Sequence, residues 1–160
     1  MAIKPITENG EVYYNGIIMP HVQVVYRSLC RLSCDWWINV KLDDGTACHI
    51  KVAAGFTFDG ASIPRSLWRL CGHPLEAPRL AAALAHDWLY CAHVCDRKTA
   101  DMIYRAILRA LGIAWWRCTI EHAALRVAGG AAWKSHGSSA QTLARMRGFL
   151  ELDGALQEAA

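Results

Sequence analysis

The chain is expected to fold as an α+β domain, with a small N-terminal antiparallel sheet and hairpin, a bundle of about three helices, and a C-terminal helix. Three observations predict that order. β-Branched and aromatic residues crowd the first third of the sequence between turn-forming residues. Apolar residues recur at helical spacing from Pro78 onward. Between the two halves, from Ala54 to Pro74, glycines and prolines interrupt both patterns.

The strands come first. Val12-Tyr13-Tyr14, the run from Val22 to Tyr26 and the run from Trp36 to Leu42 read as β-structure, punctuated at Asn9-Gly10 and Asn15-Gly16. Asp44-Gly45, set between Lys41-Leu42 and the run from Cys48 to Val52, is the strongest hairpin signal. A tight turn there demands positive backbone angles that Gly, Asn and Asp tolerate. The stretch from Ala54 to Pro64 is a conformationally specified loop anchored by Phe56 and Phe58. A short helical piece from Pro64 to Leu70 follows it, broken by Gly72-His73-Pro74.

Three helices are predicted over 78–92, 97–111 and 115–132. The second is the best marked. Asp96 is an N-cap with Thr99 three residues on, Ile103, Ile107, Leu108 and Leu111 share a face, and Gly112 supplies the stop. Ser135 to Ser139 has linker composition. A further helix is predicted over 141–152, with Leu143, Met146, Phe149 and Leu150 on one face, before a fraying end. The expected organisation is one α+β domain over 1–134 (sheet 1–60, helical part 64–134), then a linker and C-terminal helix over 135–160.

Composition narrows the function classes. A chain of 160 residues, 54% hydrophobic and 19% charged, is globular and large enough for a real core. A net charge of +3 with no basic stripe argues against a nucleic-acid partner. Neither a signal-peptide core nor a membrane-length apolar run is present in the sequence, so synthesis and folding in the cytoplasm are expected. The seven cysteines are odd in number and sit in apolar surroundings, which fits buried free thiols. Cys30 with Cys34 and Cys91 with Cys95 are not CxxC pairs, so packing is favoured over structural zinc. Trp36-Trp37 and Trp115-Trp116 each set one aromatic toward solvent or a subunit contact.

The chemistry concentrates at His86-Asp87-Trp88-Leu89-Tyr90 and at Asp96 and Asp101. Leu80 to Ala85 is an apolar helical run, so an imidazole and a carboxylate at its end need partners. Asp101 lines up with Tyr104 and Leu108 on the next helix and is turned inward. A short loop makes the two helices antiparallel, which brings His86 within hydrogen-bond reach of Asp101. Tyr90, one turn after His86, joins the same group. A structural reading stands beside a catalytic one: the imidazole bonds Asp101 or the Asp59 loop and pins the two halves together. Ser62, with Asp59-Gly60, is ordinary turn and capping chemistry, since Gly60 to Pro64 lacks the second glycine of a nucleophile elbow. His122 next to Glu121 carries less weight.

Three motifs in order give the chain a resemblance: Ala54-Gly55-Phe56 with Phe58 to Pro64, then Ala85 to Tyr90, then Ala100-Asp101-Met102-Ile103-Tyr104. Together they resemble the domain-of-unknown-function family 1353 of tailed phages and prophages, over roughly 52–129. The resemblance implies a phage or prophage product with no assigned activity. It is expected to be an accessory or virion-associated protein of the tail or lysis region, made in the host cytoplasm and carried in the virion if it assembles there. Its implied partners are other phage structural proteins or itself. A more local similarity links His86-Asp87 with Tyr90, and Asp101 or Asp96 opposite, to the His-Asp helix of phospholipases A2. It implies His86 as general base, Asp101 or Asp96 as its orienting carboxylate, and Asp87 with Asp59 as oxygen ligands of calcium. The corresponding activity is a calcium-dependent hydrolase acting on lipid or cell-envelope esters. The secreted lipases hold these helices together with disulfides, where free thiols are expected here, and their calcium loop is richer in glycine than Phe58-Asp59-Gly60-Ala61-Ser62.

Overall fold

The computed structural model describes residues 6–8, 10–26, 29–59, 77–135 and 138–157. The helical piece expected over 64–70, Ser62, the Gly72-His73-Pro74 break, Cys71 and His136 lie outside the described residues. The fold is α+β, strands first and helices after. Its strands are β1 (Ile6–Glu8), β2 (Glu11–Tyr14), β3 (Ile17–Ile18), β4 (Val22–Tyr26), β5 (Leu29–Leu32), β6 (Trp36–Lys41), β7 (Ala47–Val52) and β8 (Thr57–Phe58). The helices are α1 (Ala77–Ala92), α2 (Arg97–Ala110), α3 (Trp115–Ala128), α4 (Gly130–Lys134) and α5 (Ser138–Arg145), followed by β9 (Gly148–Leu152) and β10 (Ala155–Leu156).

The described strands form three antiparallel sheets, in the orders β1-β2-β3, β4-β5-β8 and β10-β9-β7-β6. The last is the backbone of the molecule. The β6–β7 hairpin expected around Asp44-Gly45 is present, paired from Trp36↔Val52 to Lys41↔Ala47. Gly45 takes φ +91°, and the Asp44 side chain accepts from the Thr46 amide at 2.9 Å, which closes a loop longer than a two-residue turn. Strict alternation buries Trp36, Ile38 and Val40 on β6 and Cys48, Ile50 and Val52 on β7, and this face packs toward α1 and α2. Trp37 stands on the outer face, so that tryptophan pair divides as its strand spacing requires. Trp115 and Trp116 are both exposed.

The small N-terminal sheet is tied in by side chains. Asn15 and Gly16 both take left-handed conformations in the β2–β3 turn, and Asn15 Nδ2 donates to the Ala110 carbonyl at the end of α2 at 2.7 Å. Trp36 Nε1 donates to the Ile18 carbonyl at 3.0 Å.

One element departs from expectation. The helix predicted over 141–152 ends at Arg145, and Gly148–Leu152 is a strand that pairs antiparallel with β7 along its whole length. The reason is a close approach. A Cβ on Gly148 would lie 2.3 Å from the Lys51 carbonyl oxygen and 2.8 Å from Trp88 Cε2, so only glycine lets this strand lie down under Trp88. The Asp153-Gly154 turn, with φ of +48° and +82°, then folds β10 back on β9. Residues 138–157 thus complete the central sheet and pack α5 against α1. The third helix also stops early, breaking at Gly129 before the short α4.

Candidate functional site

α1 is buried almost all round, and its apolar sequence is interrupted inward by Arg79, His86 and Tyr90. These positions fall within roughly 40° of one another on a helix that turns about 100° per residue. Asp96 caps α2, accepting from the Thr99 amide at 2.9 Å, and so fixes the helix that carries Asp101 and Tyr104. Arg97 donates to the Arg126 carbonyl at 3.2 Å and satisfies the C-terminal end of α3.

The structure brings His86, Asp101 and Tyr90 together. His86 Nε2 lies 2.9 Å from Asp101 Oδ1, and the Tyr90 hydroxyl donates to the same oxygen at 2.6 Å. Arg126 Nη1 donates to Asp101 Oδ2 at 2.8 Å. Exposure is 1% for His86, 0% for Asp101 and 3% for Tyr90, so the group is sealed. The imidazole lies against the Tyr90 ring, tilted by 39° at 4.0 Å between centroids, and meets the Tyr104 ring edge-on at 5.2 Å. Gly129 makes room for the tyrosine: a Cβ there would lie 2.6 Å from the hydroxyl.

Electrostatics fix the protonation states. Burial works to raise the Asp101 pKa, but the hydrogen bonds from His86, Tyr90 and Arg126 outweigh it and hold the carboxyl below its ordinary range. For His86 burial is the larger effect and pushes the imidazole pKa down against the pull of Asp101. Burial, then the Asp101 carboxylate, raises the Tyr90 phenol. At neutral pH the centre is therefore a carboxylate, a neutral imidazole donating through Nε2 and a neutral phenol. His86 Nδ1 keeps its lone pair and makes no hydrogen bond among the described residues.

Asp87 and Asp59 sit elsewhere. They line a cavity of about 310 Å³ with Tyr90, Cys91, Phe56 and Thr57, and of the sealed centre Tyr90 is the member that borders it. Among the described residues no three His, Cys, Asp or Glu side chains are placed to hold a metal ion together. Asp96 is spent on its cap. His122 belongs to neither group; burial, then the charge of Arg105, pushes its pKa down. Cys30, Cys34, Cys48, Cys91, Cys95 and Cys118 carry free thiols.

Sequence reasoning missed a second buried centre beside the first. Arg79 Nε and Nη2 reach Glu121 Oε1 at 3.2 and 3.1 Å, and Tyr104 donates to Glu121 Oε2 at 2.9 Å. Arg79 and Glu121 are as buried as His86. The available signal was an arginine seven residues before His86 on the same stripe of an apolar helix. Arg126 was missed too, because it reaches Asp101 from the third helix.

Comparison with known proteins places the chain. It belongs to the family described as "Protein of unknown function (DUF1353)", whose model matches residues 38–125, from β6 through most of α3. It is also similar to an uncharacterized protein, y4jT, of Sinorhizobium fredii strain NGR234, at 33% identity over 96 residues. That match covers 57% of this chain and 26% of the relative, so the chain corresponds to about a quarter of that protein's length. No solved structure matches. Neither match bears on the phospholipase A2 resemblance. No helix among the described residues is long and apolar enough to cross a membrane.

Proposed function

We propose that this chain is an accessory or virion-associated protein of a phage or prophage, in the tail or lysis region, which works by binding other structural proteins or itself. On this reading the His86–Asp101 centre specifies the fold and performs no reaction. The observation that carries it is the sealing of the centre: a carboxylate held by three donors, and an imidazole beside it, are both shut from solvent and from a substrate. The phage context rests on the family resemblance. Exposed Trp115, Val24 and Tyr26 supply the apolar surface that partners would cover.

A second reading, a calcium-dependent hydrolase of lipid or cell-envelope esters, is favoured by Asp59 and Asp87 on one cavity and by the bare lone pair of His86 Nδ1. Thermal melts of wild type, His86→Ala and Asp87→Asn with and without calcium separate the two. The scaffold reading expects His86→Ala to melt well below wild type and calcium to leave the wild-type Tm unmoved. A calcium-dependent rise in Tm that Asp87→Asn abolishes, with His86→Ala still stably folded, overturns it. Mass spectrometry of purified particles tests the virion role, with the chain expected among the particle proteins.

A further inference from the structure

The outer face of the four-stranded sheet carries a groove that the polar centre does not use. Its volume is about 620 Å³, within the range of small-ligand sites, and its lining includes Asn39, Lys41, Ala47, His49 and Glu151. Cross-strand register explains the arrangement. Asn39↔His49↔Glu151 form one row across β6, β7 and β9, and Trp37↔Lys51↔Phe149 form the next. Ala47 leaves the floor low. The Asp153-Gly154 turn raises one rim and is held there, since Asp153 Oδ1 accepts from the Ala47 amide at 2.8 Å.

The chemistry of the lining is specific. The His49 imidazole is fixed by a short hydrogen bond to Asn39 and packs 5.3 Å from the Phe149 ring. With Nδ1–H donated to Asn39 Oδ1, the outward Nε2 is an acceptor and the Asn39 amide nitrogen is left to donate. Lys41 adds donors and Glu151 acceptors. Lys41 and Glu151 carry opposite charges, the Asp153 carboxylate on the rim adds a second negative one, and Lys51 is paired with Asp35 at 2.8 Å. Trp37, 52% exposed, offers a flat apolar ring beside the polar row.

We propose that this face binds a neutral oligosaccharide, with Trp37 as the stacking platform and Asn39, His49, Lys41 and Glu151 as the hydrogen-bonding row. Sugar hydroxyls both donate and accept, which matches a lining that mixes the two at close spacing. The carbon-bound face of a pyranose ring is apolar, which matches an exposed indole next to that lining. A phosphate-bearing ligand would want uncompensated cations, and one lysine against two carboxylates does not provide them. A purely apolar ligand would leave the polar row without partners.

The test is an amide-shift titration of the isotope-labelled full chain with three probes, tetrasaccharides of N-acetylglucosamine, of α-linked glucose and of β-linked glucose. Glycylglycine serves as the zwitterion that Lys41 and Glu151 would hold by charge alone. The expected result is saturable shifts from at least one tetrasaccharide, confined to β6, β7 and β9. Binding should weaken by about tenfold in Trp37→Ala and in Glu151→Ala, with the unliganded amide spectrum of each variant still that of the folded chain. The proposal is overturned if none of the tetrasaccharides shifts these amides, if the variants bind as wild type does, or if glycylglycine alone produces the shifts. It is also overturned if the same amides shift with protein concentration in the absence of ligand, which would show a second copy on the face.

Discussion

Replacing Asp101 with alanine removes the acceptor on which three helices converge, and the cost can be worked from the contacts. His86 Nε2 and the Tyr90 hydroxyl lose their partner where exposure is 1% and 3%, so water cannot replace it. Each buried donor left unsatisfied costs about 1 to 3 kcal/mol. Arg126 is 35% exposed, rehydrates, and is discounted. The expected loss is about 2 to 6 kcal/mol from a total stability of about 5 to 15. For a chain of this size that lowers Tm by about 4 to 24 °C. The assay is thermal and urea unfolding at neutral pH of Asp101→Ala, Tyr90→Phe and the double variant. In the double variant the hydroxyl is absent when the acceptor goes, so the combined loss should fall short of the sum of the single losses. An Asp101→Ala protein melting within about 2 °C of wild type, or strictly additive losses, would refute the view that the centre holds the bundle together.

Acid should destabilise the fold early. His86 and His122 are held below their ordinary pKa, both chiefly by burial, so each stays neutral in the fold and takes a proton on unfolding. Their contribution is whole above the unfolded histidine pKa of about 6.5 and falls as pH drops below it, so urea midpoints should decline between about pH 7 and pH 5; a flat profile contradicts this. Gly148→Ala should cost about 1 to 3 kcal/mol, since the new methyl meets the Lys51 carbonyl and the Trp88 ring and the backbone oxygen cannot yield; a melting curve that overlays wild type would refute it. Glu121→Gln should cost about 1 to 3 kcal/mol by taking the charge from the buried acceptor that Arg79 and Tyr104 share at 3.1 and 2.9 Å; a urea midpoint equal to that of wild type would contradict this.

Where local chemistry decides, the sequence was legible. Asp44-Gly45 marks its hairpin by the angles glycine must take, and Asp96, Thr99 and Gly112 bound α2 by capping. The meeting of His86 with Asp101 follows from inward positions on consecutive antiparallel helices. The strand β9 was misread because Leu143, Met146, Phe149 and Leu150 fit a helical face. Two contrary signals lay in the same stretch: Gly148, costly in a helix interior, and Asp153-Gly154, the same dipeptide that marks the earlier hairpin. Consecutive Gly129-Gly130 likewise marked the break in the third helix. The Arg79–Glu121 pair was not legible, because it depends on the rotation of α1 against α3, forty-two positions apart in sequence.

That rotation is what the polar residues of α1 determine. The helix is alanine-rich and buried almost all round, so apolar packing alone would accept it in several phases. Trp88 defines one side, over Gly148 with its indole nitrogen donating to the Ala144 carbonyl at 2.8 Å. Arg79, His86 and Tyr90 define the opposite side, about 180° away on the helix. Turning α1 by one residue, about 100°, would carry a guanidinium and an imidazole away from Glu121 and Asp101, breaking one buried pair at each carboxylate and leaving Tyr104 and Arg126 to hold what α1 no longer reaches. Broken buried pairs cost about 3 to 5 kcal/mol each, comparable with the whole stability of the fold. Such residues contribute little net stability when satisfied, yet they exclude the other phases, and that asymmetry is why a chain can keep charges in its core without using them on a substrate.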